Sequence, residues 1–380
     1  GESKRTGIQL QWVIFDHPFG EPECIEISDE DIKASNTDTA IFVISRNSGE
    51  GADRKNEKGD YQLYPNEMAN IKKLVENYKK VIVVLNIGGL IDMKELSEMP
   101  GINSILLMSQ LGNLGGLVLA DVLSGKVNPS GRLADSWAKD YMDYPSSAEF
   151  SFNNGNVHED FYKDGIYVGY RYFDSFEKKV VYPFGYGLSY SDFESKVLSV
   201  AQNGDKVEVK VEVQNIGRYA GKDVVQVYIS APVNAGGVNH PYQELKGFAK
   251  TSEIKPGERD TVTVSIPLVS LASYNEKCAS WIIGAGDYVV RVGKNSRDTV
   301  AAMNLQIEKD VVTEKCKNIL PLDCEMKEIS ADVKASAPAN ATLKIDLAKI
   351  PCVEHKYQNG RPEMKTSKSE KVTLQDVIEG

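Results

Sequence analysis

The chain has 380 residues, 41% hydrophobic and 26% charged, with a formal net charge of −10. That length accommodates two domains with linkers, and the composition is that of an ordinary globular protein. An acidic chain without a basic stripe argues against a nucleic-acid partner, and no apolar run approaches the ~20 residues of a membrane span. Residues 1–190 alternate strand and helix signals. Short apolar runs at residues 11–15, 40–44, 81–85 and 104–108 predict strands of buried, parallel type. Between them Ile71, Leu74, Val75 and Tyr78 recur at helical spacing after Pro65, and a second helix is expected over residues 114–123, capped at Gly125. Strands alternating with helices imply an α/β domain, a mainly parallel sheet with helices on both faces.

Residues 130–190 are rich in Tyr, Gly and Pro, with Tyr162, Tyr167, Tyr170, Tyr172, Phe173, Tyr182, Phe184, Tyr186 and Tyr190 close together. They read mainly as an irregular connection pinned by aromatic rings, a sugar-stacking platform being the other reading. From about residue 195 to 310 the period becomes two. Val207, Val209, Val211 and Val213 alternate with polar residues, as do Val225, Val227 and Ile229, then Val262, Val264 and Ile266, then Tyr288, Val290 and Val292. Turn signals such as Asn203-Gly204-Asp205 and Pro256-Gly257-Glu258 separate them, which predicts an all-β sandwich over residues 191–310 with Tyr274 and Trp281 in its core. Residues 311–380, rich in Lys, Glu and Ser, read as a linker or tail. Thr373 as an N-cap, with Leu374, Val377 and Ile378 on one face, suggests a helix beginning at the end.

Five cysteines (Cys24, Cys278, Cys316, Cys324, Cys352) lack repeated CxxC spacing, and the four histidines are scattered, so neither a metal site nor a disulfide framework is expected. No cofactor is expected. Reduced thiols, and an opening without a charged and then apolar leader, predict a cytoplasmic protein. Nothing in the sequence fixes the oligomeric state, and a homo-oligomer is compatible with it.

The most informative stretch follows the run at 40–44: Ser45-Arg46-Asn47-Ser48-Gly49-Glu50-Gly51-Ala52-Asp53-Arg54. A strand emptying into Gly-Glu-Gly places one carboxylate at the sheet edge where ligands bind in open α/β folds. The same letters also describe a plain solvated turn. The stretch, with Lys58-Gly59-Asp60-Tyr61 after it, resembles the acid/base loop of glycoside hydrolase family 3, the β-glucosidase family. The likeness continues through residues 165–174 and 184–190. Glu244-Leu245-Lys246-Gly247-Phe248, followed by Pro256-Gly257-Glu258, resembles the family's fibronectin-III-like domain.

The resemblance implies a retaining β-glucosidase in which Glu50 is the general acid/base, while Arg46, Ser48, Asp53 and Arg54 bind substrate or position the loop. It also implies a β-glucoside or cello-oligosaccharide substrate. A retaining glycosidase needs a second carboxylate, about 5 Å from the first, as nucleophile. In the family this is an Asp on a (β/α)8 barrel. Here Ala134-Asp135-Ser136-Trp137 has the wrong order and setting, and a barrel needs about 250 residues that this chain has no room for. The barrel is therefore expected as a partner domain of the same full-length polypeptide, C-terminal to this chain, in an order reversed from the usual one. The alternative is a non-catalytic carbohydrate-binding or scaffold protein on the same fold.

Overall fold

A computed structural model describes residues 25–47, 53–319, 326–334 and 336–354. The strand expected at 11–15, the helix expected from Thr373, and Ser48 and Glu50 lie outside the described residues. The first described element is a helical turn, α1 (Asp29–Ser35), closed by a reciprocal capping box between Ser28 and Asp31. Next comes β1 (Thr39–Arg46), then α2 (Pro65–Asn77), β2 (Lys80–Ile87), a short α3 (Lys94–Glu98), β3 (Ile102–Leu107) and α4 (Gly115–Leu123). The three strands pair in parallel in the order β1-β2-β3, with Thr39 opposite Lys80 and Arg46 opposite Ile87.

Alternation along β1 sends Ala40, Ile44 and Arg46 inward while Ile41 and Val43 stay about half exposed. Helix α2 begins with Pro65, whose missing N–H belongs to an unpaired position anyway. It lays Ile71 and Leu74 on the sheet, and Ile71 joins Ile44, Val83, Leu85, Ile91 and Leu96 in one core. Helix α4 ends as expected, with Gly125 at φ +76°, yet among its described residues only Gly115 is buried.

The aromatic stretch turns inward on itself. Two short strands, β4 (Trp137–Ala138) and β5 (Val180–Tyr182), pair antiparallel, and α5 (Tyr170–Ser175) lies between them in sequence. Tyr170 stacks on Phe184 at 4.4 Å and Tyr182 on Tyr186 at 5.3 Å. Tyr167 meets Phe176 edge-on.

Two facing sheets form the sandwich. One orders β10 (Arg259–Pro267), β7 (Lys206–Asn215) and β6 (Phe193–Asn203). The other orders β16 (Thr342–Lys344), β14 (Asp298–Ile307), β13 (Gly286–Asn295), β8 (Val224–Ser230) and β9 (Glu244–Lys250). Val207, Val209, Val211 and Val213 are fully buried, packed with Val227, Ile266, Tyr288 and Val290. Strand β8 departs from the expected alternation, because all seven of its residues are buried. Its polar face meets the aromatic connection: Gln226 Nε2 donates to Gly185 O and Lys294 O, and Tyr228 lies edge-on to Tyr170 and Phe184.

Two expectations are corrected. Trp281 is 40% exposed and Tyr274 half-buried, paired ring to ring at 5.6 Å. They sit on a separate sheet of β11 (Ser273–Asn275), β12 (Ser280–Ile283), β15 (Val311–Lys315) and β17 (Val353–Glu354), where Ser280 and Ile283, not Trp281, are the buried positions of β12. The stretch after residue 310 is not merely a linker where described. Strand β15 extends that sheet, β16 adds in parallel to β14, and Ile345 and Ile350 plug the sandwich core. Elements of two to five residues carry too few inward side chains to leave a period in the sequence.

Candidate active-site loop

Three parallel strands put their carboxyl ends, at Arg46, Ile87 and Leu107, on one edge. Strand β1 ends at Arg46 on this edge, and the described chain resumes at Asp53. Arg46 falls on the inward parity of β1, so its side chain must enter the interior and be matched there. It meets Glu67 in a two-pronged pair, Nη1–Oε1 at 2.8 Å and Nη2–Oε2 at 2.6 Å, with both residues 5% exposed or less. Nε donates to Asp60 O at 3.0 Å and Nη1 also to Ser45 O at 2.7 Å, and the guanidinium lies 5.6 Å from the Tyr64 ring centre. Glu67 is the third residue of α2, so it also accepts the Tyr64 N–H at 2.8 Å. One carboxylate thus caps the helix and neutralises the strand end.

Arg54 holds the other side. Nε pairs with Asp60 Oδ1 at 2.5 Å, Nη2 donates to Asp60 O at 2.8 Å, and Nη1 donates to Leu90 O beyond β2 at 2.7 Å. Asp60 Oδ2 accepts the Lys55 N–H at 2.6 Å. Asp53 is exposed and Ser48 and Glu50 are outside the described residues. Asp60 sits in a tight turn in which Gly59 N–H donates to Gln62 O at 2.8 Å. Gly59 has φ +86°, and a Cβ there would lie 1.9 Å from Tyr64 Cζ, so only glycine fits without rearrangement. The turn is anchored to the connection after β2 by the Asp92 N–H donating to Tyr61 O at 2.8 Å. Tyr61 is buried edge-on to Tyr141 at 5.2 Å, and burial pushes its phenol well above the usual tyrosine range, so it stays neutral.

Sequence reasoning found the loop, both arginines and the Lys58–Tyr61 motif, in which it gave Asp60 no role, but missed Glu67 and Asp92. For Glu67 the signal was available: an acidic residue two after Pro65, in the first turn of a helix, is placed to reach back. Asp135 is exposed, in the stretch before β4. Among the described residues no three His, Cys, Asp or Glu side chains gather as metal ligands, and Cys278, Cys316 and Cys352 are free thiols.

The fold and this edge define a class: a parallel α/β domain with a strand-end loop held by charged anchors, followed by a β-sandwich. Comparison with known proteins makes the assignment particular. Residues 24–190 match the glycosyl hydrolase family 3 C-terminal domain and residues 223–296 the fibronectin type III-like domain. The chain belongs to glycosyl hydrolase family 3, of which it carries these two domains in succession. It is 37% identical to β-glucosidase A of Butyrivibrio fibrisolvens, over 79% of this chain and 41% of that protein. Among solved structures it superposes on a β-glucosidase from Paenibacillus barengoltzii with a TM-score of 0.73, at 34% identity, over 82% of this chain and 36% of that one. On β-glucosidase 3B from Thermotoga neapolitana in complex with α-D-glucose the TM-score is 0.70, at 38% identity, over 80% of this chain and 44% of that one. The chain spans between about a third and two fifths of the length of the curated relatives it matches.

Proposed function

We propose that this chain is the part of a retaining β-glucosidase that supplies the general acid/base, Glu50, and that the nucleophile comes from a (β/α)8 barrel elsewhere on the same polypeptide. The observation that carries the reading is the anchored loop: buried or partly buried charges are given over to holding the two ends of a segment whose one glutamate lies between glycines. The β-glucosidase names of its relatives support the substrate class, and their greater length supports a further domain.

In the reaction so assigned, Glu50 first protonates the departing glycosidic oxygen while the barrel's carboxylate attacks the anomeric carbon. It then takes a proton from the water that hydrolyses the glycosyl-enzyme. The test is Glu50→Ala in the complete polypeptide. Cellobiose hydrolysis should fall by about 10²–10⁴-fold, while kcat/KM for aryl glucosides with activated leaving groups falls much less, since their first step needs little proton assistance. Added azide should restore turnover and yield a glycosyl azide. Wild-type kinetics on cellobiose would remove Glu50 from the mechanism and favour the scaffold alternative.

A further inference from the structure

The geometry points to Arg46 and Arg54 as positioning residues that fix both ends of the Glu50 loop by gripping one backbone oxygen, that of Asp60; the inference rests on the acid/base reading of Glu50. Arg46 closes β1 on one side of the loop and Arg54 stands on the other. Arg46 Nε donates to Asp60 O at 3.0 Å and Arg54 Nη2 donates to the same oxygen at 2.8 Å. The two arginines that flank the Glu50 segment in sequence therefore meet, through their guanidiniums, on a single carbonyl. Each is held from behind: Arg46 by the two-pronged bond to buried Glu67, Arg54 by Asp60 Oδ1 and Leu90 O.

Every nitrogen of either guanidinium already donates to the protein. Arg46 uses Nη1 and Nη2 on Ser45 O, Gln62 O and Glu67, and Arg54 uses Nε, Nη1 and Nη2 as described. Guanidiniums tied in this way hold the residues that flank the loop, which is a positioning role. A carboxylate that must protonate one oxygen and then deprotonate another has to sit within hydrogen-bond reach of both, and a misplacement of about 1 Å costs on the order of 100-fold in rate. Arginine suits the task because its planar fork reaches several acceptors at fixed angles, whereas the lysine ammonium is a point charge on a flexible stem. The acceptor is fixed too: Asp60 follows Gly59, at the one turn position where a side chain would collide with Tyr64.

The test uses the complete polypeptide, barrel included, with aryl β-glucosides of graded leaving-group acidity alongside cellobiose. Arg54→Ala should lower kcat on cellobiose and poor leaving groups by about 100-fold, with KM within about twofold. On a dinitrophenyl glucoside kcat/KM, which reports the glycosylation step alone, should fall by less than about threefold, because that leaving group needs no acid. Arg54→Lys should fall between Arg54→Ala and the unaltered protein, and Asp60→Asn, which keeps the carbonyl but loses the charged partner, should repeat the selective pattern more weakly. If Arg54→Ala does not fold, these two variants carry the test. A rise in KM with kcat unchanged would make Arg54 a substrate contact, and equal losses on all leaving groups, or none, would make the arginines mere structural ties; either result overturns the inference. Glu50→Gln run in parallel separates the two levels. If it shows no dependence on leaving group, the acid/base reading falls and the positioning role with it. If it shows that dependence while Arg54→Ala does not, the positioning role alone falls.

Discussion

Strand β1 of the parallel sheet, a continuous apolar run, and strand β7 of the sandwich, apolar at every second residue, meet different fates. In β7 every inward valine is fully buried, and the facing sheet closes over it. In β1 the inward face holds Ala40, Ile44 and the charged Arg46, and the outward face leaves Ile41 and Val43 about half exposed. Helix α4 continues the contrast, with Leu117 68% and Val118 48% exposed. The sandwich is stabilised by a continuous apolar core of its own. The α/β domain has a thinner core and places a buried ion pair at the strand end that precedes the Glu50 segment. Charged anchoring beside a working loop adds little net stability over an apolar pair, but it specifies one geometry, here by joining strand end, helix cap and turn.

Three experiments on the chain itself bear on this contrast. The largest effect is expected at Glu67. Glu67→Leu strands the Arg46 guanidinium in the interior without its carboxylate and should cost about 3–5 kcal/mol, read as a fall in the urea midpoint. Arg46→Met combined with Glu67→Leu should recover much of that loss. A double variant as unstable as the single one would show that the pair is not the source of the penalty.

A smaller effect should come from the sandwich side as a pH dependence. His240 is buried, with Nε2 donating to Ala235 O at 2.9 Å, and burial lowers its pKa below the ordinary 6.5. Its contribution is fully present at neutral pH. As pH falls below 6.5 the unfolded chain takes up the proton before the folded one does, so stability declines down to the lowered folded pKa. Melting temperatures of the unaltered chain and His240→Gln, compared from pH 7 to 5, should show a steeper fall for the unaltered chain. Parallel curves would mean that His240 does not set this dependence.

The smallest effect belongs to the exposed apolar helix. Leu117→Gln in this chain should change stability by no more than about 0.5 kcal/mol, because the side chain loses almost no burial. A loss above about 2 kcal/mol would show that α4 packs more deeply than its exposure implies. It would erase the contrast with β7.

Much of the architecture was legible in the sequence because it rests on local periodicity. The runs at 40–44, 81–85 and 104–108 became β1, β2 and β3, and the two-residue period of Val207 to Val213 became the buried face of β7. Gly125 ended α4 at a positive φ because that position after a helix suits glycine. The site was legible in part: the motif located the loop and marked Arg46 and Arg54 on either side of it. Which groups those arginines grip was not, since Glu67 is 21 residues from Arg46 in sequence, and Leu90 is 36 from Arg54.

The sequence by itself determined where chemistry-bearing residues stand along each element, because strand alternation and helix capping act over a few neighbours. Only the tertiary structure decided which of them meet. It turned Trp281 outward on a bulged inner strand of the four-stranded sheet, and it drew Ile345 and Ile350 back into the sandwich from a stretch without periodicity. It also brought Arg46 and Arg54 onto one carbonyl. Those outcomes depend on long-range closure. A charge or an isoleucine finds its partner only where strands, helix and turn converge, and no local pattern records that meeting.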